Sequence, residues 1–196
     1  MDSLHTPDRT LLKRIGLGDA LALRALHARY AKSVYALAMT RLHTPQDAYQ
    51  VVTDTFARVW HSTAEVDDTR SVVVWLLGIA RHSCLALLRE RGEDCTEDDP
   101  QDTLPTPAFH HDPEPLMVTR TQLRALEQHR HALSGLQQEA LHLAVVEGLS
   151  LAQVAQVTHA TLPTAKARVY HARRTLVQHM RAGPARDDGR PPAASA

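Results

Sequence analysis

Cysteine is nearly absent from this chain of 196 residues: Cys84 and Cys95 are the only two, and no C-x-x-C spacing joins them. That excludes a disulfide framework and a Cys/His zinc site, and it suits free thiols in a reducing cytoplasm. Long apolar runs are missing as well. The longest, Ser71 to Ala80, is about half of the roughly 20 residues that span a bilayer, and Arg81 follows it at once. Met1 to Arg9 has no apolar h-region, so neither a signal peptide nor membrane insertion is expected. Nucleophile, paired-acid and Gly-rich phosphate signatures are lacking, which argues against catalysis and a bound cofactor. The thirteen histidines are scattered; His110-His111 sits among acids and His129/His131 is an i,i+2 pair that diverges on a helix, so no metal is expected. Alternating strand-like runs are absent too, leaving an all-α, soluble, intracellular protein as the expectation.

Net charge is zero but unevenly spread: +3 over residues 1–92, −8 over 93–114 and +5 over 115–196. Helical spacing fills both basic blocks. Gly18-Asp19 reads as a stop and an N-cap before the stripe Leu23, Leu26, Tyr30, Val34 and Leu37. Thr44-Pro45 starts a second helix with Asp47 in its first turn, where the helix dipole favours an acid. That helix, to about Ser62, buries Val51, Val52, Phe56 and Val59 and leaves Asp47, Gln50 and Asp54 as a polar stripe. A third, from Ser71 to about Arg91, is apolar early and basic late. Five prolines and eight acids between Glu93 and Pro115 then predict an extended, solvated linker.

Helical spacing resumes over Leu116 to Leu133 and Gln137 to Val146. Ser150 with Gln153 forms an S-x-x-Q capping box for a short helix over 151–158, and a turn near His159 leads to a last helix opening at Leu162-Pro163. Helix, tight turn and helix in this order predict a helix-turn-helix. The last helix is expected to bury Val169, Ala172, Leu176 and Met180, which places Lys166, Ala167, Tyr170 and His171 on its outer face as candidates for base edges. Arg168, Arg173 and Arg174 read as phosphate anchors, and no acid interrupts them. The tail from Gly183 is expected to be disordered. The division is thus 1–92, a linker 93–115, 116–182, and a tail 183–196.

Together, "LLKRIGLGDALALRALHARYAKSVYALAMTRL", "DAYQVVTDTFARVW" and "TRSVVVWLLGIARHSCLALLRERG" resemble region 2 of extracytoplasmic-function sigma factors. "ALSGLQQEALHLAVVEGLSLAQVAQ" with "PTAKARVYHARRTL" resembles their region 4. The resemblance implies two small helical domains that bind core RNA polymerase and promoter DNA, together with an anti-sigma factor as a partner. It implies polymerase contact through Asp47, Gln50, Val51, Asp54, Phe56 and Trp60. It implies minus-10 contact through Arg70, Ser71, Trp75, Arg81, His82, Arg89 and Arg91, with Trp75 as a stacking platform for an unpaired base. Minus-35 contact falls to Thr164, Lys166, Ala167, Arg168, Tyr170, His171, Arg173 and Arg174. Tyr49-Gln50 and Thr53-Asp54 make the docking stripe less acidic than the family pattern, and His159 replaces the turn glycine. These departures motivate a second reading, a sigma-like decoy that holds an anti-sigma factor or polymerase without reading promoters.

Overall fold

The computed structural model describes residues 6–62, 71–93 and 129–182. Most of the predicted linker, the tail, Arg70, Cys95, His110, His111 and most of the helix expected over 116–133 lie outside the described residues. Among those described there is no strand.

Four helices make the first bundle: α1 (Asp8–Gly16), α2 (Ala20–Leu42), α3 (Pro45–Ser62) and α4 (Val72–Glu90). α1 buries Leu11, Leu12 and Ile15, and Asp8 in its first turn accepts from Arg29 and Tyr30 of α2, which fixes the angle between the two helices. Gly18 turns the chain at φ +83°, a region glycine enters without steric cost. Asp19 then caps α2 by accepting from the backbone N–H groups of Leu21 (2.9 Å) and Ala22 (3.2 Å). At α3, the Thr44 carbonyl accepts from the Ala48 N–H and Pro45 takes the first helical position.

α4 has mean hydropathy 1.5, long and apolar enough by composition to cross a membrane, yet 61% of that stretch is buried inside the protein. Its all-round burial has a packing cause. α2 and α3 cover one side, and a helix of the second group covers another.

That second group comprises α5 (Gly135–Val145), α6 (Leu151–Thr158) and α7 (Leu162–Ala182), preceded by a 3-10 turn at Arg130–Ala132. Ser134 and Gln137 form a capping box at α5, so this helix starts two residues earlier than the spacing predicts. The expected capping box of Ser150 and Gln153 opens α6. His159 ends α6 in the left-handed region at φ 52°. Thr161 caps α7: its hydroxyl accepts from the Thr164 N–H at 3.2 Å and its carbonyl from the Ala165 N–H at 2.9 Å. Pro163 therefore takes the second helical position rather than the first. Met180, expected in the core, is exposed, because the 21 residues of α7 outrun α5 and α6, which have 11 and 8.

The two groups are packed on one another, α2 against α5 and α4 against α6. One hydrophobic core runs through both, from Leu26, Leu37 and Leu77 to Leu143, Val157 and Ala165.

Candidate nucleic-acid and partner interfaces

Three surfaces carry the predicted site residues, and helix packing within and between the two groups redistributes them. On α7, Arg173 and Arg174 are exposed, and Thr164, Lys166 and Tyr170 are half-buried. Ala167 (2% exposed), Arg168 (3%) and His171 (7%) are buried, against the expectation of an outer face. Helical periodicity assumes a single covered face, and a small or polar residue covered on a second side looks like a solvated one. The Thr161 and Thr164 hydroxyls bond to each other at 2.8 Å, so the start of α7 is held before any ligand arrives.

On α4, Ser71, His82 and Arg89 are exposed, whereas Trp75 is half-buried and packed against the core. Trp75 and His82 line a cleft of about 570 Å³ between α3, α4 and α6, together with Arg58, Ile79, Gln156, His159 and Ala160. No acid is among its lining residues. Arg81, expected at the displaced strand, is 2% exposed and faces Glu139 of α5, Nε to Oε1 3.1 Å. Arg91 is paired with Asp47.

On α3, Gln50 is exposed, Asp54 and Trp60 are half-buried, and Asp47 is buried against Arg91. Val51 and Phe56, counted among the polymerase contacts, sit in the core with Ala48, Val52 and Val59; Phe56 also meets the His27 ring at 4.7 Å. The same stripe that fastens α3 to the bundle cannot face a partner. Sequence reasoning passed over Tyr49, which is 65% exposed and tilted at 47° against the Tyr35 ring at 4.9 Å, and Arg58 in the cleft. An exposed aromatic at i+3 from Gln46 and i−4 from Thr53 was the available signal for Tyr49.

The junction itself is polar. Burial raises the Glu147 carboxyl, but hydrogen bonds from His142 and from Ser33 of α2 hold it below its ordinary value. Burial, then the charge of Glu139, pushes the Cys84 thiol up to about 12. Among the described residues no cluster of His, Cys, Asp or Glu could hold a metal.

Models of sigma-70 region 2 and sigma-70 region 4 match residues 26–93 and 124–176. Relatives include the ECF RNA polymerase sigma factor SigK of Mycobacterium sp. (strain KMS), 28% identical over 161 residues, which are 81% of this chain and 83% of that protein. The ECF RNA polymerase sigma-E factor of Haemophilus influenzae is 25% identical over 179 residues, 86% of this chain and 93% of that protein. The chain belongs to the extracytoplasmic-function sigma factors. It is an alternative sigma factor, a transcription initiation factor rather than a free-standing regulator.

Two solved structures share its fold. CnrH in complex with the cytosolic domain of CnrY aligns with TM-score 0.64 at 21% identity, covering 93% of this sigma factor and all of CnrH. The sigma factor RpoE in complex with the anti-sigma factor NepR from Bartonella quintana aligns with TM-score 0.58 at 21% identity, covering 82% and 98%.

Proposed function

We propose that this sigma factor uses residues 1–92 to dock on core RNA polymerase and hold the opened minus-10 element, and residues 116–182 to read the minus-35 element. One observation carries the reading: a doubly capped helix-turn-helix with a basic second helix follows a four-helix bundle that presents a polar α3 face and a basic α4 end.

Within that division, Gln50, Asp54, Trp60 and the exposed Tyr49 form the polymerase face, while Val51 and Phe56 hold it rigid from behind. Ser71, Trp75, His82 and Arg89 serve the minus-10 strand, joined by Arg81 once α5 leaves it. Arg173 and Arg174 anchor phosphates, and Thr164, Lys166 and Tyr170 face the bases. Polymerase supplies the chemistry, and the sigma factor supplies position and strand opening in the cytoplasm, without catalysis or cofactor of its own. CnrH and RpoE in the aligned structures are held by a second protein, and an anti-sigma factor is the matching partner here.

Run-off transcription with purified chain, core polymerase and the promoter of its own operon tests the proposal. Promoter-specific transcripts support it. Stable polymerase binding without any transcript would favour the decoy, for which the burial of Ala167, Arg168 and His171 is the motivating observation.

A further inference from the structure

We propose that the cleft between α3, α4 and α6 is a binding site for a small organic anion the size of a mononucleotide, a planar ring that carries a phosphate. Two residues on its walls go against local preference, in opposite directions. Gly78 lies in the interior of α4, where glycine weakens a helix relative to alanine, yet a Cβ there would meet nothing within 4 Å. Packing within the protein gives no reason for the missing side chain, whereas the cleft that Gly78 lines gains room from it. At the end of α6, His159 holds a left-handed position at φ 52° that glycine takes without steric cost, and it lines the same cleft. Local rules give way where a site needs space on one wall and a hydrogen-bonding group on the other.

The rest of the lining suits both parts of such an anion. Trp75 supplies an indole on which a planar base can stack. Arg58, His82 and Gln156 are exposed and enter no ion pair or side-chain hydrogen bond among the described residues. With His159 they bring one guanidinium, two imidazoles and an amide to one opening that no acid lines. A guanidinium pairs with phosphate oxygens in a forked geometry, and a phosphate has three terminal oxygens to share among these groups where a carboxylate has two. The volume of about 570 Å³ falls within the roughly 300–1,000 Å³ of small-molecule pockets. Trp75 and His82 are also given to the minus-10 strand above. Gln156 and His159 are not, so the site has its own composition and does not rest on that reading.

The test is a titration of the full chain with adenosine 5′-monophosphate, read by the fluorescence of Trp75 in a Trp60→Phe background, since these are the two tryptophans of the chain. Saturable quenching is expected, with affinity about tenfold above that for uncharged adenosine. Arg58→Ala should weaken binding about tenfold. Gly78→Leu should do the same by filling the cleft, with a urea midpoint that does not fall, because leucine favours a helix. Lys13→Ala, an exposed cation of α1 outside the cleft, should leave the affinity unchanged. Absence of saturable quenching, undiminished affinity in Gly78→Leu, or equal losses in the Arg58 and Lys13 variants would each overturn the site. Gln156→Ala should also weaken the mononucleotide; an unchanged affinity would put the ligand on α4 alone, as a base of the promoter strand, and overturn the cleft site. Run-off transcription measures the sigma activity separately and stands whichever way the titration falls.

Discussion

The Arg91 guanidinium at the end of α4 is bound to the Asp47 carboxylate at the start of α3. The family resemblance gives these side chains to two different surfaces, polymerase and promoter; in the bundle they neutralise each other and tie the two helices together, antiparallel, at one end. On the division proposed above, the α3 face is correspondingly less acidic, and the basic end of α4 is left to Arg89.

The pair makes a pH prediction with a definite sign. The hydrogen bond from Arg91, with its charge and the Thr44 hydroxyl, outweighs burial and holds Asp47 below its ordinary 3.8. A depressed folded value contributes stability that is present above the unfolded value and lost as pH falls through the folded one. Between pH 5 and pH 3, taken as roughly the span of ordinary carboxylate titration, the urea midpoint of the natural chain should fall further than that of Asp47→Asn. Equal falls would remove Asp47 from the linkage.

The α3 surface separates binding from folding. Phe56→Ala should cost about 3–5 kcal/mol of stability, since a buried aromatic leaves a cavity behind it. Tyr49→Ala and Asp54→Ala should leave the urea midpoint almost unchanged and weaken the complex with core polymerase. Size-exclusion chromatography with polymerase, set beside the melts, decides it; a Tyr49 variant that binds polymerase as the parent does would put the docking face elsewhere.

Caps, turns and stripes were legible in the sequence because each is settled by residues a few positions apart: Asp19 before α2, Ser150 with Gln153, and the left-handed turn at His159. The S-x-x-Q at Ser134 was equally readable and was passed over. Other burials were not legible from any one helix. Arg81 reads as the basic end of an amphipathic helix, and only the approach of α5 with Glu139 turns it into an interior residue. Ala167 and His171 fall outside the apolar stripe of α7, so periodicity placed them in solvent. Packing of α4 on the second group, and of α7 on α5 and α6 within it, is a tertiary event, and a one-helix pattern carries no record of it.

His159 holds the helix-turn-helix at φ 52° and ψ 29° with a side chain that has to tolerate the left-handed region. Glycine enters it at no steric cost and is the usual residue one step past a helix end. His159→Gly should therefore raise stability by about 1 kcal/mol. Ser150→Ala, which removes the cap at the other end of α6, should lower it by about 1 kcal/mol. Denaturant melts of both variants provide the check, and a loss of stability on His159→Gly would mean that the imidazole contributes more in the cleft than it costs in the turn.

On α7 the exposed arginines and the half-buried lysine should fail in different ways. Arg173 and Arg174 stand in solvent, where they can meet phosphates of any sequence, so replacing either with alanine should weaken all promoters alike and reduce the slope of log affinity against log salt by about one. Lys166 lies one turn inside the capped start of α7, the part of a recognition helix that reaches base edges. Lys166→Ala should change preference at particular minus-35 positions by about 1–3 kcal/mol and leave the others nearly untouched. His171, 7% exposed, belongs with neither: His171→Ala should act mainly through packing, lowering stability before it alters base preference. Competition binding across a set of single-base minus-35 variants at two salt concentrations separates the three classes, and a sequence-dependent loss at Arg174 equal to that at Lys166 would refute the division.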